Sequence, residues 1–442
     1  MNYARVCASV FLLTLAGNHS AEAQEQPEIY PIEDLTVETD DTERWPSNPV
    51  ILGRVKCAGG IETHKGLAIS SPIKGRASLL MQEDSWMIIR GPLQVAKAKE
   101  SGEFNVQSAT FSAKELHLAS PPESSATAAI RGEKTLAHIK GPWSVGEQGS
   151  AILQISQGAQ AVAESMTLGQ AKDGIGILDL DDEMSKLGVI ESLSVGIEGR
   201  GQVTQHGGSL FVDGEIRIGD DSFANEESLL QSSIEVTGGE LRCDELTIHP
   251  KFGSLNVGGG FVACNLISVS DPKSLRLNGG TLKWRRCQGD LALGAGEVLL
   301  EGASEVTGDL QLTQSTVRAS LLGRQPKRVC DSLVVGGQLT LRDCKLIVVT
   351  DDPSTLTSDQ TFRLIDCSQI SGEFSVTDLP QLSDGLEWDT SHLLSYGELR
   401  ISASEVRSNE SLSPQTLGLV ASGALFATVI LVFGLRFFLV RR

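Results

Sequence analysis

The sequence predicts an all-β chain, a right-handed parallel β-helix of about ten coils of roughly 25 residues, with one C-terminal transmembrane helix. A recurring strand motif is the first observation behind this. Val95, Leu118, Val145, Leu168, Val195, Ile218, Ile248, Val269, Leu293, Leu312 and Leu341 each end a short apolar-polar-apolar triplet, such as Leu193-Ser194-Val195 or Leu246-Thr247-Ile248. Successive ends lie 23, 27, 23, 27, 23, 30, 21, 24, 19 and 29 residues apart, and a fixed period of this size marks a stack of supersecondary units. The second observation is a Gly-Gly-x-Leu piece, as in Gly207-Gly208-Ser209-Leu210, Gly238-Gly239-Glu240-Leu241 and Gly336-Gly337-Gln338-Leu339. The third is a scarcity of helical periodicity: only residues 223–231 could form a turn or two, and they fall in the longest unit, as an insertion between coils.

Two or three alternating strands per unit, separated by glycine corners, build one coil of a β-helix. A single coil cannot bury its inward residues. Stacked at about 4.8 Å, the coils form a continuous apolar column, so stability resides in the stack. The alternative fold is a β-sandwich array or a propeller, although propeller blades of about 40 to 50 residues exceed the spacing here.

Taken in order, residues 1–23 read as a signal peptide: Arg5, an apolar run over 6–16, and Ala21-Glu22-Ala23 before Gln24. Residues 24–50 are acidic and proline-rich and read as a disordered arm. The solenoid occupies 51–345, a capping β module of longer strands 346–403, and a polar stalk 404–415. Residues 416–436 then read as a transmembrane helix, with 417–435 free of charge, and 437–442 as a basic cytoplasmic tail. Arg436, Arg441 and Arg442 act as the membrane stop and set an N-out, C-in topology. The membrane is thereby an expected partner.

Once the signal and the tail arginines are set aside, 33 basic and 55 acidic residues remain, a balance of −22 that excludes nucleic acid as a partner. Seven cysteines stand beyond the signal. They contain no Cys-x-x-Cys pair, so no metal site is expected. Cys243, Cys264 and Cys287 recur near one place in three consecutive units, five, five and six residues before Ile248, Val269 and Leu293. Stacked Cα atoms at about 4.8 Å lie within disulfide range, so Cys264 could bridge to Cys243 or to Cys287; a ladder of buried reduced thiols fits equally well.

The closing segment reads Leu379-Pro380-Gln381-Leu382, then Gly385-Leu386-Glu387-Trp388-Asp389-Thr390-Ser391-His392-Leu393, then Gly397-Glu398-Leu399-Arg400-Ile401. It resembles the end of the repeat proteins found in bacterial PEP-CTERM and autotransporter-associated families. Pro414, Thr416, Leu417 and Leu419 are similar to the PEP-CTERM sorting motif, although Leu412-Ser413 stand where its first Pro-Glu pair belongs. The resemblance implies a bacterial surface or matrix protein without a catalytic role.

The rival class is a polysaccharide-processing β-helix, which needs carboxylates and a basic residue converging on adjacent coils. The densest acidic cluster is Asp179, Asp181, Asp182 and Glu183, with Asp213, Asp220 and Asp221 one to two coils on, and it reads better as a solvated turn. The histidines stand apart from one another, and the tryptophans fall at different phases of the repeat, which argues against a sugar-stacking stripe. No catalytic residue and no cofactor is expected. The functional expectation is a non-catalytic, exported, envelope- or surface-anchored solenoid for adhesion, matrix building or structural display. Carbohydrate binding or processing is the alternative, and an extracellular polysaccharide or a cell-surface protein is the expected kind of partner.

Overall fold

Alternation is the local rule that builds this protein. In the strand Ser150–Ser156 the side chains of Ala151, Leu153 and Ile155 are buried while those between them face outward, as a pleated strand with one dry face requires. The computed structural model describes residues 30–404 apart from 33–34, 38–41, 45–48, 52–53, 64, 72–76, 83, 98, 221–230 and 323–328. They form an all-β right-handed parallel solenoid of about 11 turns.

Each regular coil has two strands. A short one joins an 11-stranded sheet and a long one joins a 24-stranded sheet, both stacked in parallel. The long strand bends midway, where its register slips, as between Ala163 and Ser165 against the following coil. That slip lets one strand line two sides of the coil. Parallel pairing between successive coils rules out the β-sandwich array and the propeller, which are built from antiparallel strands.

The triplet ends of the sequence are register partners. Val95 pairs with Leu118, Leu118 with Val145, Val145 with Leu168, and the column continues through Val195, Ile218 and Ile248 to Val269. Leu293, Leu312 and Leu341 form a second column. The interior is one continuous cluster running from Ile51 to Ile401. The glycine pairs are explained by the corners: a Cβ on Gly239 would lie 2.3 Å from the Gly208 carbonyl oxygen, and one on Gly260 2.6 Å from that of Gly239. Both residues also have positive φ, 74° and 65°, so only glycine stacks there without strain.

Several expectations change. Within 24–50, the described residues form short strands, Tyr30–Ile32, Leu35–Val37, Thr42–Arg44 and Pro49–Ile51, paired in parallel with the first coils, so this part of the expected arm joins the stack. Parallel stacking also continues past 345, through Ile365–Ser371 and Phe374–Asp378. Only Thr361–Arg363, Leu386–Asp389 and Glu398–Ala403 form a separate antiparallel sheet at that end.

The membrane reading is corrected. Among the described residues no helix is long and apolar enough to cross a membrane, and the one α-helix there, Leu393–Tyr396, is a single turn. The expected transmembrane helix at 416–436 therefore has no counterpart in the described fold. The membrane as partner, the anchored localisation and the N-out, C-in topology are set aside with it. Residues 1–23, 223–230 and 405–442, with Pro414, Thr416, Leu417, Leu419, Arg436, Arg441 and Arg442, lie outside the described residues.

Candidate functional site

The three cysteines that recur near one place in consecutive units separate into two inward columns. Cys243 and Cys264 occupy the same position on adjacent strands, Glu240–Ile248 and Phe261–Val269, in a column that descends from Ile89 through Ala113, Ile139, Ala163, Val189 and Val212. Their sulfur atoms are 3.1 Å apart, with 7% and 4% of the two residues exposed. The column continues to Trp284, not to Cys287, which instead pairs with Ile267 in the neighbouring column. All seven described cysteines are free thiols. The Cys264 thiol beside it and its own burial hold the Cys243 thiol well above the ordinary range. Burial pushes Cys57 up to about 11, and burial together with the nearby Asp290 charge pushes Cys287 up to about 12.

The acidic cluster splits just as sharply. Asp182, at φ 67°, accepts hydrogen bonds from the amides of Gln157, Met184 (2.9 Å) and Ser185 (3.1 Å) and from the Ser185 hydroxyl (2.8 Å). Partial burial works to raise its pKa, but the Ser185 hydroxyl and the amides outweigh burial and hold it below the usual carboxylate range. Asp182 is thus a corner brace joining two coils. Asp179 points outward between Gln154 and Thr204, and burial raises its carboxyl. Asp221 lies outside the described residues.

Trp143 and Trp284 are fully buried core residues, and the Trp284 indole donates to the Glu305 carbonyl at 3.1 Å. Neither can stack on a sugar. Trp388, in the motif that resembles the surface repeat proteins, donates to the Pro380 carbonyl at 2.8 Å and packs against Phe362, so that motif closes the terminal sheet. Asp389 beside it caps the turn by accepting from the Ser391 amide and hydroxyl.

The histidines have local roles. His206 hydrogen-bonds Thr237 at 2.9 Å, His249 stacks on Phe252, and His117 sits 3.3 Å from Glu115 and 3.6 Å from Glu147. Among the described residues no group of three or more His, Cys, Asp or Glu side chains could hold a metal ion.

Sequence reasoning missed Asp331. It is 2% exposed and accepts from the amides of Gly302 (2.7 Å) and Ser320 (2.8 Å), which lie 29 and 11 residues before it in the chain. An aspartate directly before the strand Ser332–Arg342 was its only signal in the sequence. Gln205 was missed as well: its side chain is fully buried in a column otherwise made of Ile155, Leu180, Val236 and Val257, and its amide donates to the carbonyls of Gly208 and Glu240.

Neither a known protein family nor a curated protein matches this chain. The likeness to PEP-CTERM and autotransporter-associated repeat proteins therefore rests on residues of this sequence alone: the closing segment, the Gly-Gly-x-Leu repeats and the sorting-like stretch from Pro414.

Proposed function

We propose that this protein is a non-catalytic scaffold that displays ladders of side chains for adhesion or structural assembly. The observation that carries the reading is the single uninterrupted inward cluster from Ile51 to Ile401, which holds outward residues of successive coils in fixed rows. One such row runs Gln94, His117, Ser144, Thr167, Ser194, Arg217, Thr247 and Ser268, each the register partner of the next, with Ser144 alone buried by its neighbours. Rows repeating at about 4.8 Å suit a repetitive or extended partner surface better than a small molecule. Two of the carboxylates are already engaged within the fold. Asp182 and Asp331 spend their acceptor capacity on backbone amides, so neither is available to a substrate.

Two measurements test this reading together. Deleting one coil at matched positions, residues 253–272, places Leu275 where Leu255 stood, because these two are register partners. The shortened protein is expected to fold with undiminished β-sheet circular dichroism per residue, because each coil contacts only its neighbours. In parallel, the intact chain is incubated with neutral and acidic polysaccharides and reducing ends are counted. Retention without cleavage supports the scaffold. Cleavage that disappears on Asp179→Asn or Asp213→Asn would overturn it.

A further inference from the structure

We propose that Cys243 and Cys264 are a dedicated oxidisable pair whose disulfide staples two consecutive coils where the short-strand sheet thins toward its end. Three observations converge on it. The residues are register partners on adjacent parallel strands, and their sulfurs already stand 3.1 Å apart, so small side-chain rotations bring them to the roughly 2.05 Å of a disulfide. No other thiol shares that column, since Trp284 follows Cys264, and Cys287 lies one column away.

The location supplies the purpose. Along the short-strand sheet, neighbouring coils are tied by seven register pairs between Ser125–Arg131 and Ser150–Ser156 and by six between Ile175–Leu180 and Arg200–Gln205. The next steps have four, five and then three, where the sheet ends at Leu275–Leu277. The step from Ile218 to Ile248 is also the longest in its column. A covalent link from Cys243 to Cys264 closes a loop of one coil across this thinned stretch, and it limits the local opening that thinning allows.

The chemistry needs a disulfide oxidant, for which oxidised glutathione serves as the probe. One cysteine attacks it as the thiolate, forming a mixed disulfide and releasing one glutathione thiol. The second cysteine then attacks the protein-side sulfur and releases the other. The two cysteines lose two protons and two electrons, and the oxidant takes up both as two thiols. Burial slows attack in the folded state, so the bond is expected to form during folding.

The full chain is refolded with oxidised glutathione, its free thiols are alkylated, and its peptides are mapped by mass. The expected product is a Cys243–Cys264 linked peptide with Cys57, Cys287 and Cys344 alkylated after denaturation. Cys287→Ser should leave the link intact and Cys264→Ser should abolish it. Amide hydrogen exchange in Glu240–Ile248 and Phe261–Val269 should slow at least tenfold on oxidation, with Gln160–Leu168 unchanged. Full alkylation of both cysteines, a link to any other thiol, or a formed link without local slowing each overturns the proposal.

Discussion

Residues 99–218 and residues 275–378 solve the same stacking problem in different ways. In the first stretch every coil is tied twice, by the short-strand sheet and by the bent long strand, and the steps in the short sheet are uniform: Ser125 pairs with Ser150, Ser150 with Ile175, and Ile175 with Arg200. Past Leu275–Leu277, where the short-strand sheet ends, the coils of the second stretch are tied only by the large sheet. They are joined by fragments such as Thr281 with Glu297, Arg286 with Glu305 and Leu291 with Leu310. There, side chains take over backbone pairing. Asp290 accepts from the Asp309 amide, Asp309 from the Gln338 amide, Asp331 from those of Gly302 and Ser320, and the Ser304 hydroxyl donates to the Trp284 carbonyl. Where coils are equal in length, strand ladders satisfy most of the backbone, with Asp182 bracing one corner. Where lengths vary, amides left outside the ladder need side-chain acceptors, because a buried unpaired amide costs about 1–3 kcal/mol.

The sharpest test of that difference is a buried charge placed in the regular stretch and another where the short-strand sheet thins toward the irregular one. Val257→Asp, at the thinning end of the short-strand sheet, is expected to unfold the neighbouring coils, with a cost of roughly 4 kcal/mol or more. Ile155→Asp stands in the same column within the regular stretch and should cost as much locally, while chemical denaturation shows a broader transition for Val257→Asp. Identical transitions for the two variants would mean that the second sheet adds no cooperativity.

A smaller effect should separate the stretches by their polar braces. Asp331→Ala leaves the amides of Gly302 and Ser320 without their acceptor and is expected to lower stability by about 2–3 kcal/mol, read from the urea midpoint. Asp331→Asn keeps one acceptor oxygen and should recover part of the loss. A midpoint unchanged by Asp331→Ala would show that side-chain bracing is dispensable in the irregular stretch.

The smallest effect is a pH dependence in the regular stretch. The pKa of Asp182 is lower folded than unfolded, so its contribution is present above the ordinary carboxylate value of about 3.9 and lost as pH falls through the lower folded value. Asp182→Asn should flatten that part of the stability curve between about pH 2 and 5, measured by denaturant titration at each pH. An unchanged slope would assign the acid sensitivity to other groups.

Much of this architecture was legible because the physics of stacking is periodic. The triplet ends from Val95 to Val269 were readable as one column, since a β-branched or aliphatic residue must recur wherever the coil turns inward, and the register confirms each step. Trp143 carried a readable signal as well, two residues before Val145 and so on the same inward face. Cys287 defeated the spacing argument because its unit had shortened: it lies three residues from Trp284, the true successor of Cys264, and the bend between them carries it into the next column.

What the sequence determined by itself was the kind of unit, its period and its inward residues, because alternation and glycine corners are local properties of the chain. The tertiary structure decided which thiols meet, which carboxylates are consumed as braces, and where one sheet gives out. Those depend on how coils of unequal length superimpose, and a difference of a few residues within one coil moves a side chain from one column to another.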